Sequence, residues 1–156
     1  MGPVPRKTNL PASKEKRAIT ILRRSGLRPT RQLIGLTVLL FGYRDRHVSA
    51  EDLFSEAGRK GIGASLSSVY RSLRRFHEAG LIRKVPIYGA VAYYDTNLDE
   101  HHHFHVEDDD LLIDVPDGEV SLGRLPDPPA GYELIGAEIV LRLKRTPALA
   151  LENAGA

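Results

Sequence analysis

Four stretches of helical period, each opened by a hydroxyl side chain, occupy the first 80 residues, and two strand-like runs follow at once. Ser13 reads as the cap of a first helix with Ala18, Ile19 and Leu22 on one side, stopped by Gly26. Thr30 caps a second, Arg31 to Phe41, whose Leu33, Leu36, Val38, Leu39 and Leu40 supply core and which Gly42 closes. Ser49 opens a third, Ala50 to Arg59, with Glu51 and Asp52 in the first turn, where carboxylates favour the positive end of the helix dipole. Ser65 opens a fourth that runs to about Ala79 before Gly80. At 100° per residue its Leu66, Val69, Leu73 and Phe76 share one side, while Ser67, Ser68, Tyr70, Arg71, Arg74 and Arg75 follow one another around the other. Leu81 to Val85 and Ala90 to Asp95, separated by Pro86 and Gly89, form a basic hairpin. Short helices followed by a basic hairpin make a winged helix-turn-helix pattern over residues 13–98, preceded by a flexible, basic, proline-containing tail over 1–12.

After Asn97 the pattern changes to short strands. His101 to Val106 and Leu111 to Val115 are joined by the acidic turn Glu107 to Asp110, and a longer strand, Tyr132 to Lys144, alternates Ile139, Leu141 and Leu143 against Glu138, Arg142 and Lys144. Between them lies a stretch with four prolines, Pro116 to Gly131, and a brief helix is expected around Glu119 to Arg124. Three strands and one short helix bury little by themselves, so residues 99–145 read as a small α/β domain completed by a second copy of itself, and 146–156 as a tail. The fold class is therefore α+β, and the chain is expected to be a homodimer.

Charge divides at the same place. Up to Leu98 there are 18 lysines and arginines against 7 acids, a balance of +11; from Asp99 onward the balance is −9. A basic half of that kind suits a polyanion. Within it, a recognition helix needs small side chains for close approach to the major groove and long donors for base edges and phosphates. Ser67 and Ser68 supply the first, and Arg71, Arg74 and Arg75 the second. Tyr70 can meet a thymine methyl or a phosphate, Arg28 and Arg31 flank the start of the second helix, and Arg83 and Lys84 sit on the wing. Double-stranded DNA is the expected partner. No apolar run is long enough to span a bilayer and the start lacks a secretory pattern, so a cytoplasmic location and no membrane partner are expected.

The chain has no cysteine, which excludes disulfides, thiolate zinc sites and cysteine nucleophiles. Any metal must be held by histidine and carboxylate. Four of the six histidines lie in His101-His-His-Phe-His105, with Asp95 upstream and Asp114 downstream. Imidazole is a borderline ligand suited to zinc, iron, manganese and cobalt, with carboxylate suiting the harder of these. If the run is a strand, His101, His103 and His105 share a face and could chelate. A metal-dependent hydrolase uses the same residue types, but it also needs an open coordination position and a general base. No motif for those is found, and the chain is read as a non-enzyme. His77, near the end of the fourth helix, suits the helix dipole rather than a metal site.

The order and spacing of Arg46-His-Val-Ser-Ala-Glu-Asp-Leu-Phe54, Ser65-Leu-Ser-Ser-Val-Tyr-Arg-Ser-Leu73, Glu78-Ala-Gly-Leu81 and the histidine run resemble the ferric uptake regulator (Fur) family. Gly26-Leu-Arg-Pro-Thr-Arg-Gln32, Leu40-Phe-Gly42, Arg44-Asp-Arg-His-Val48, Tyr94-Asp-Thr-Asn97 and His101-His-His103 are similar, more narrowly, to its iron response regulator (Irr) branch. The resemblance implies a dimeric repressor on an AT-rich imperfect palindrome, governing genes of iron and haem homeostasis. It implies a sensory metal site at His47, Asp95, His103, His105 and Asp114 for iron, manganese or zinc, and haem binding at His101, His102 and His103. Manganese, zinc or peroxide sensing on the same scaffold is the alternative. Phe104 stands where many members carry an aspartate of a second metal site, and the family's paired Cys-x-x-Cys zinc site is missing, so neither is expected.

Overall fold

The computed structural model describes residues 10–147. Most of the tail expected over residues 1–12 and most of that over 146–156 lie outside them. The described chain forms two compact units divided between Leu98 and Asp99.

The first unit holds four helices: α1 (Ala12–Arg24), α2 (Arg31–Phe41), α3 (Ala50–Arg59) and α4 (Leu66–Glu78). Three start where their sequences place a hydroxyl cap. Thr30 accepts from the backbone N–H of Leu33, Ser49 from that of Asp52, and Ser65 from that of Ser68. The last two are reciprocal boxes, because Asp52 and Ser68 accept in return from the backbone of Ser49 and Ser65. The α1 expectation is corrected: Pro11 precedes the helix, and its carbonyl takes the first N–H groups, those of Lys14 and Glu15, so Ser13 lies inside the first turn. At the other end Gly26 adopts φ +71°, and the N–H of Leu27 reaches back to Leu22 O at 2.9 Å; Gly80 repeats this geometry with Leu81 and Phe76.

Helix α2 is buried along most of its length and forms the centre of the core, with Leu33, Leu36, Leu39 and Leu40 meeting Leu53, Val69, Leu73, Phe76 and Ile82. A three-stranded antiparallel sheet lies beside the helices, in the order β1 (His47–Ser49), β3 (Tyr93–Asp95), β2 (Arg83–Lys84). The hairpin expected from the sequence is the β2–β3 pair, shorter than its apolar runs. Strand β1 goes unforeseen, since three residues cannot display an alternation.

The second unit contains β4 (His103–Val106), β5 (Leu111–Asp114) and β6 (Val140–Leu143) in the order β5-β4-β6. Strand β4 runs antiparallel to β5 and parallel to β6. Two expectations are corrected here. Residues 119–124 form no helix, and of the stretch 132–144 only Val140–Leu143 is a strand. Period-two alternation needs a neighbouring strand to become structure, and β4 offers only four residues of ladder. Residues 121–137 are exposed throughout, with Tyr132, Leu134 and Ile135 among them. The buried apolar residues of this unit are Leu112 and Val115 among the described residues, a small core for its length.

Candidate nucleic-acid interface and metal centre

Helix α4 is amphipathic in three dimensions as in sequence. Val69, Leu73 and Phe76 have no exposed surface, while Ser67, Tyr70, Arg71, Arg74 and Arg75 are exposed on the other side. Arg28 and Arg31 are exposed where α2 begins, and Lys84 on the wing. Thr30, Gln32, Ser68, Arg71 and Arg75 line a cleft of about 280 Å³ in which the start of α2 faces two guanidinium groups one turn apart. Such a surface offers positive charge and hydrogen-bond donors of the kind that bind phosphate backbones.

Three of the expected contact residues have intramolecular duties. Ser68 closes the capping box, donates to Ser65 O at 2.8 Å and accepts from Gln32 Nε2 at 2.8 Å, which ties α4 to α2. Arg83 brings Nε to 3.9 Å from Asp95 Oδ2, and most of its side chain is covered. Tyr70 donates its hydroxyl to the Glu51 carboxylate of α3. That hydrogen bond, with lesser help from burial and from the Glu51 charge, raises the Tyr70 hydroxyl above its ordinary value, so it stays a protonated donor. Glu51 was expected only as a favourable charge in a first turn; its reach to the recognition helix has no sequence signature.

The histidines and carboxylates are positioned by strand register. In the first unit His47 on β1 lies directly opposite Asp95 on β3, which puts His47 Nε2 3.3 Å from Asp95 Oδ2. Asp95 is 1% exposed, and its Oδ1 accepts from the N–H of Asn97 at 2.8 Å. His77 belongs to neither donor set; its Nδ1 donates to Ile82 O at 3.2 Å, and its ring meets Tyr94 edge-on.

In the second unit His103 on β4 lies directly opposite Asp114 on β5. Asp114 Oδ1 is 3.4 Å from His103 Nε2 and 3.2 Å from His101 Nε2, and the two rings are 4.5 Å apart. Partners fix which nitrogen carries each proton, since a carbonyl or carboxylate oxygen only accepts. His101 Nδ1 faces Asp99 O at 2.6 Å and His103 Nδ1 faces Glu138 Oε1 at 2.5 Å, both closer than Asp114 Oδ1 is to the Nε2 of the same ring, which places each proton on Nδ1 and turns each Nε2 toward Asp114. The donor set, two nitrogens and an oxygen within 4.8 Å of one another, fits a divalent transition ion.

His105 shares the buried face of β4 but lies two residues further along, opposite Leu112, with Nε2 3.8 Å from Asp110 Oδ1. His102 sits on the opposite side of the run, where its Nδ1 accepts from the N–H of Ile139 at 3.1 Å. The structure thus brings together His101, His103 and Asp114 of the expected residues, and adds Glu138, which sequence reasoning placed only on the polar side of a strand. Its partner is set by the parallel β4–β6 register, a long-range pairing that leaves no local signal.

The profile of the ferric uptake regulator family matches residues 24–121, more than half of the chain. The ferric uptake regulation protein of Pseudomonas aeruginosa is 29% identical over 127 residues, covering 80% of this chain and 94% of its own. The manganese-bound structure of the regulator from that organism superposes with a TM-score of 0.60 at 28% identity, over 82% of this chain and 97% of its own. The Vibrio cholerae regulator shares the fold at 22% identity and a TM-score of 0.62, covering 81% and 98%.

Proposed function

The chain belongs to the ferric uptake regulator family, whose members are metal-responsive transcription regulators, and on that premise we propose a homodimeric repressor whose grip on DNA is set by a divalent ion at His101, His103 and Asp114. The observation that carries this reading is the approach of two Nε2 atoms and one carboxylate oxygen, each imidazole turned by its own Nδ1–H acceptor. When bound, the ion supplies charge neutralisation and a fixed geometry; the residues supply the lone pairs and hold the strands that carry them.

The family resemblance would also enlist His47, Asp95 and His105, and we keep these as further donors in the proposal. His47 and Asp95 are already paired across a ladder in the first unit. Iron, manganese and zinc all suit such a set, and the manganese-bound relative from P. aeruginosa makes manganese a reasonable first titrant. No helix among the described residues is long and apolar enough to cross a membrane, and the work proposed for the chain is cytoplasmic. Exposed Tyr132, Leu134 and Ile135, together with the small core of the second unit, support a second copy covering this region.

The DNA is double-stranded, and its backbone is met by Arg28, Arg31, Arg75 and Lys84, with Ser67, Tyr70, Arg71 and Arg74 toward the groove; Ser68 and Arg83 serve mainly to position α4 and the wing. Arg71→Ala is expected to cost about 1 to 3 kcal/mol of specific operator affinity while leaving dimerisation intact. Operator binding equal to the parent would remove Arg71 from the interface.

Haem sensing of the Irr kind is the second reading, favoured by three adjacent histidines. Against it, His103 has no exposed surface and His101 side-chain exposure is 5%, so a macrocycle would have to displace the residues that cover them. The experiment that tests both is a gel shift on an AT-rich palindrome with manganese, ferrous iron, zinc and haem each added alone. A shift that responds to manganese or iron supports the ion reading, a response to haem alone supports the Irr reading, and no DNA binding under any loading overturns both. Replacing His101, His102 and His103 together should abolish any haem Soret shift and spare DNA binding by the ligand-free protein; an unchanged Soret shift removes haem from these residues.

A further inference from the structure

The three adjacent histidines are chemically unlike one another, and the two residues just before β6 make them so. His103 Nδ1 meets the Glu138 carboxylate at 2.5 Å, and His102 Nδ1 meets the backbone N–H of Ile139 at 3.1 Å. His103 faces a carboxylate oxygen at each nitrogen, Glu138 at 2.5 Å from Nδ1 and Asp114 at 3.4 Å from Nε2, and the much closer Glu138 takes the proton on Nδ1; a backbone N–H donates, so His102 must hold its lone pair on Nδ1 and its proton on Nε2. Neighbouring imidazoles are thereby locked in opposite tautomers by neighbouring residues of one segment.

We propose that Glu138 is a positioning residue for metal binding: together with the Ile139 N–H it sorts the run by tautomer, making His103 a donor through Nε2 and excluding His102. The inference rests on the divalent-ion reading above and deepens it. Three features support it. The Glu138 contact is short, and its side chain is 16% exposed against a His103 with no exposure, so water competes poorly for the imidazole proton. The carboxylate approaches from the side of the ring opposite Asp114, as required of a group that orients a ligand without becoming one. The parallel register, His103 opposite Val140, holds the segment against β4 through the backbone, with His103 N–H donating to Ile139 O at 3.2 Å. An ion at His103 therefore depends on a residue more than thirty positions away that does not touch it.

The test joins a spectrum to a titration. In the metal-free full-length chain, the long-range 15N side-chain spectrum is expected to show His103 as the Nδ1–H tautomer and His102 as Nε2–H. Glu138→Ala should shift His103 toward Nε2–H and raise the Mn2+ Kd by about 10- to 100-fold, the range typical of losing such a partner. Glu138→Gln, whose amide oxygen still accepts from Nδ1–H, should restore the tautomer and most of the affinity, which a purely structural role of the negative charge would not predict. His103 found as Nε2–H in the parent, or a Kd unchanged in Glu138→Ala, overturns the inference. A parent chain that binds no Mn2+ overturns the divalent-ion reading instead, and the tautomer spectrum then still decides the sorting by itself.

Discussion

Replacing His103 with alanine is expected to raise the Kd for Mn2+ by more than roughly 100-fold, beyond the range seen when only a supporting partner is lost. The side chain sits with no exposed surface in the middle of the β5-β4-β6 sheet, its Nε2 3.4 Å from Asp114 and its Nδ1 on Glu138. Removing it takes away a donor nitrogen and the Nδ1–H that Glu138 accepts. The sheet itself keeps its ladder, because the β4 pairing runs through the backbone; far-ultraviolet dichroism should remain that of the parent. Isothermal titration with Mn2+ reads the effect, and a Kd within a few-fold of the parent would move the ion elsewhere. Two companions sort the remaining donors. His101→Ala should weaken Mn2+ binding and His105→Ala should do so less, because the Nε2 atom beside Asp114 belongs to His101 while that of His105 lies 3.8 Å from Asp110. The reverse order would favour the donor set implied by family resemblance.

Why the two histidines exchange prominence shows how far residues alone can be read. Alternation along a strand groups His101, His103 and His105, but the strand begins only at His103. Two residues of strand advance about 6.6 Å, which carries His105 from Asp114 to the far end of the acidic turn. His101, lying before the strand, is free of that spacing, and the carbonyl of Asp99 turns its ring toward Asp114. Residue types and their proximity in the chain were legible; which lone pairs converge was decided by a local turn and by the β4–β5 register. The helices were more legible because their signals are local. Thr30, Ser49 and Ser65 each cap within three residues, and the apolar positions of α4 repeat within one face. Residues 121–137 were least legible: their apolar side chains lie exposed and Val140–Leu143 pairs only with β4, so neither period nor composition could announce their form.

Phe76→Ala is expected to destabilise the first unit by about 3 to 5 kcal/mol, a large share of the roughly 5 to 15 kcal/mol that holds a typical domain. Phe76 is the largest side chain in the core that α2 organises, with no exposure, and it lies where α4 ends and Gly80 turns the chain toward the wing. Its backbone carbonyl accepts the Leu81 N–H that closes that turn. Alanine leaves the hydrogen bond but opens a cavity in the core cluster beneath α4. The effect on DNA binding follows from anchoring, since Arg71, Arg74 and Arg75 project from the face opposite this contact. Arg74→Ala makes the contrasting case. Its ion pair with Glu78 spans 3.8 Å between side chains 69% and 65% exposed, so stability should change by less than about 0.5 kcal/mol while operator affinity falls. Urea denaturation followed by dichroism separates the two variants: Phe76→Ala should lower the midpoint sharply, Arg74→Ala hardly at all. A loss under about 1 kcal/mol at Phe76 would mean that the recognition helix is held by something other than the core face on which its sequence pattern is built.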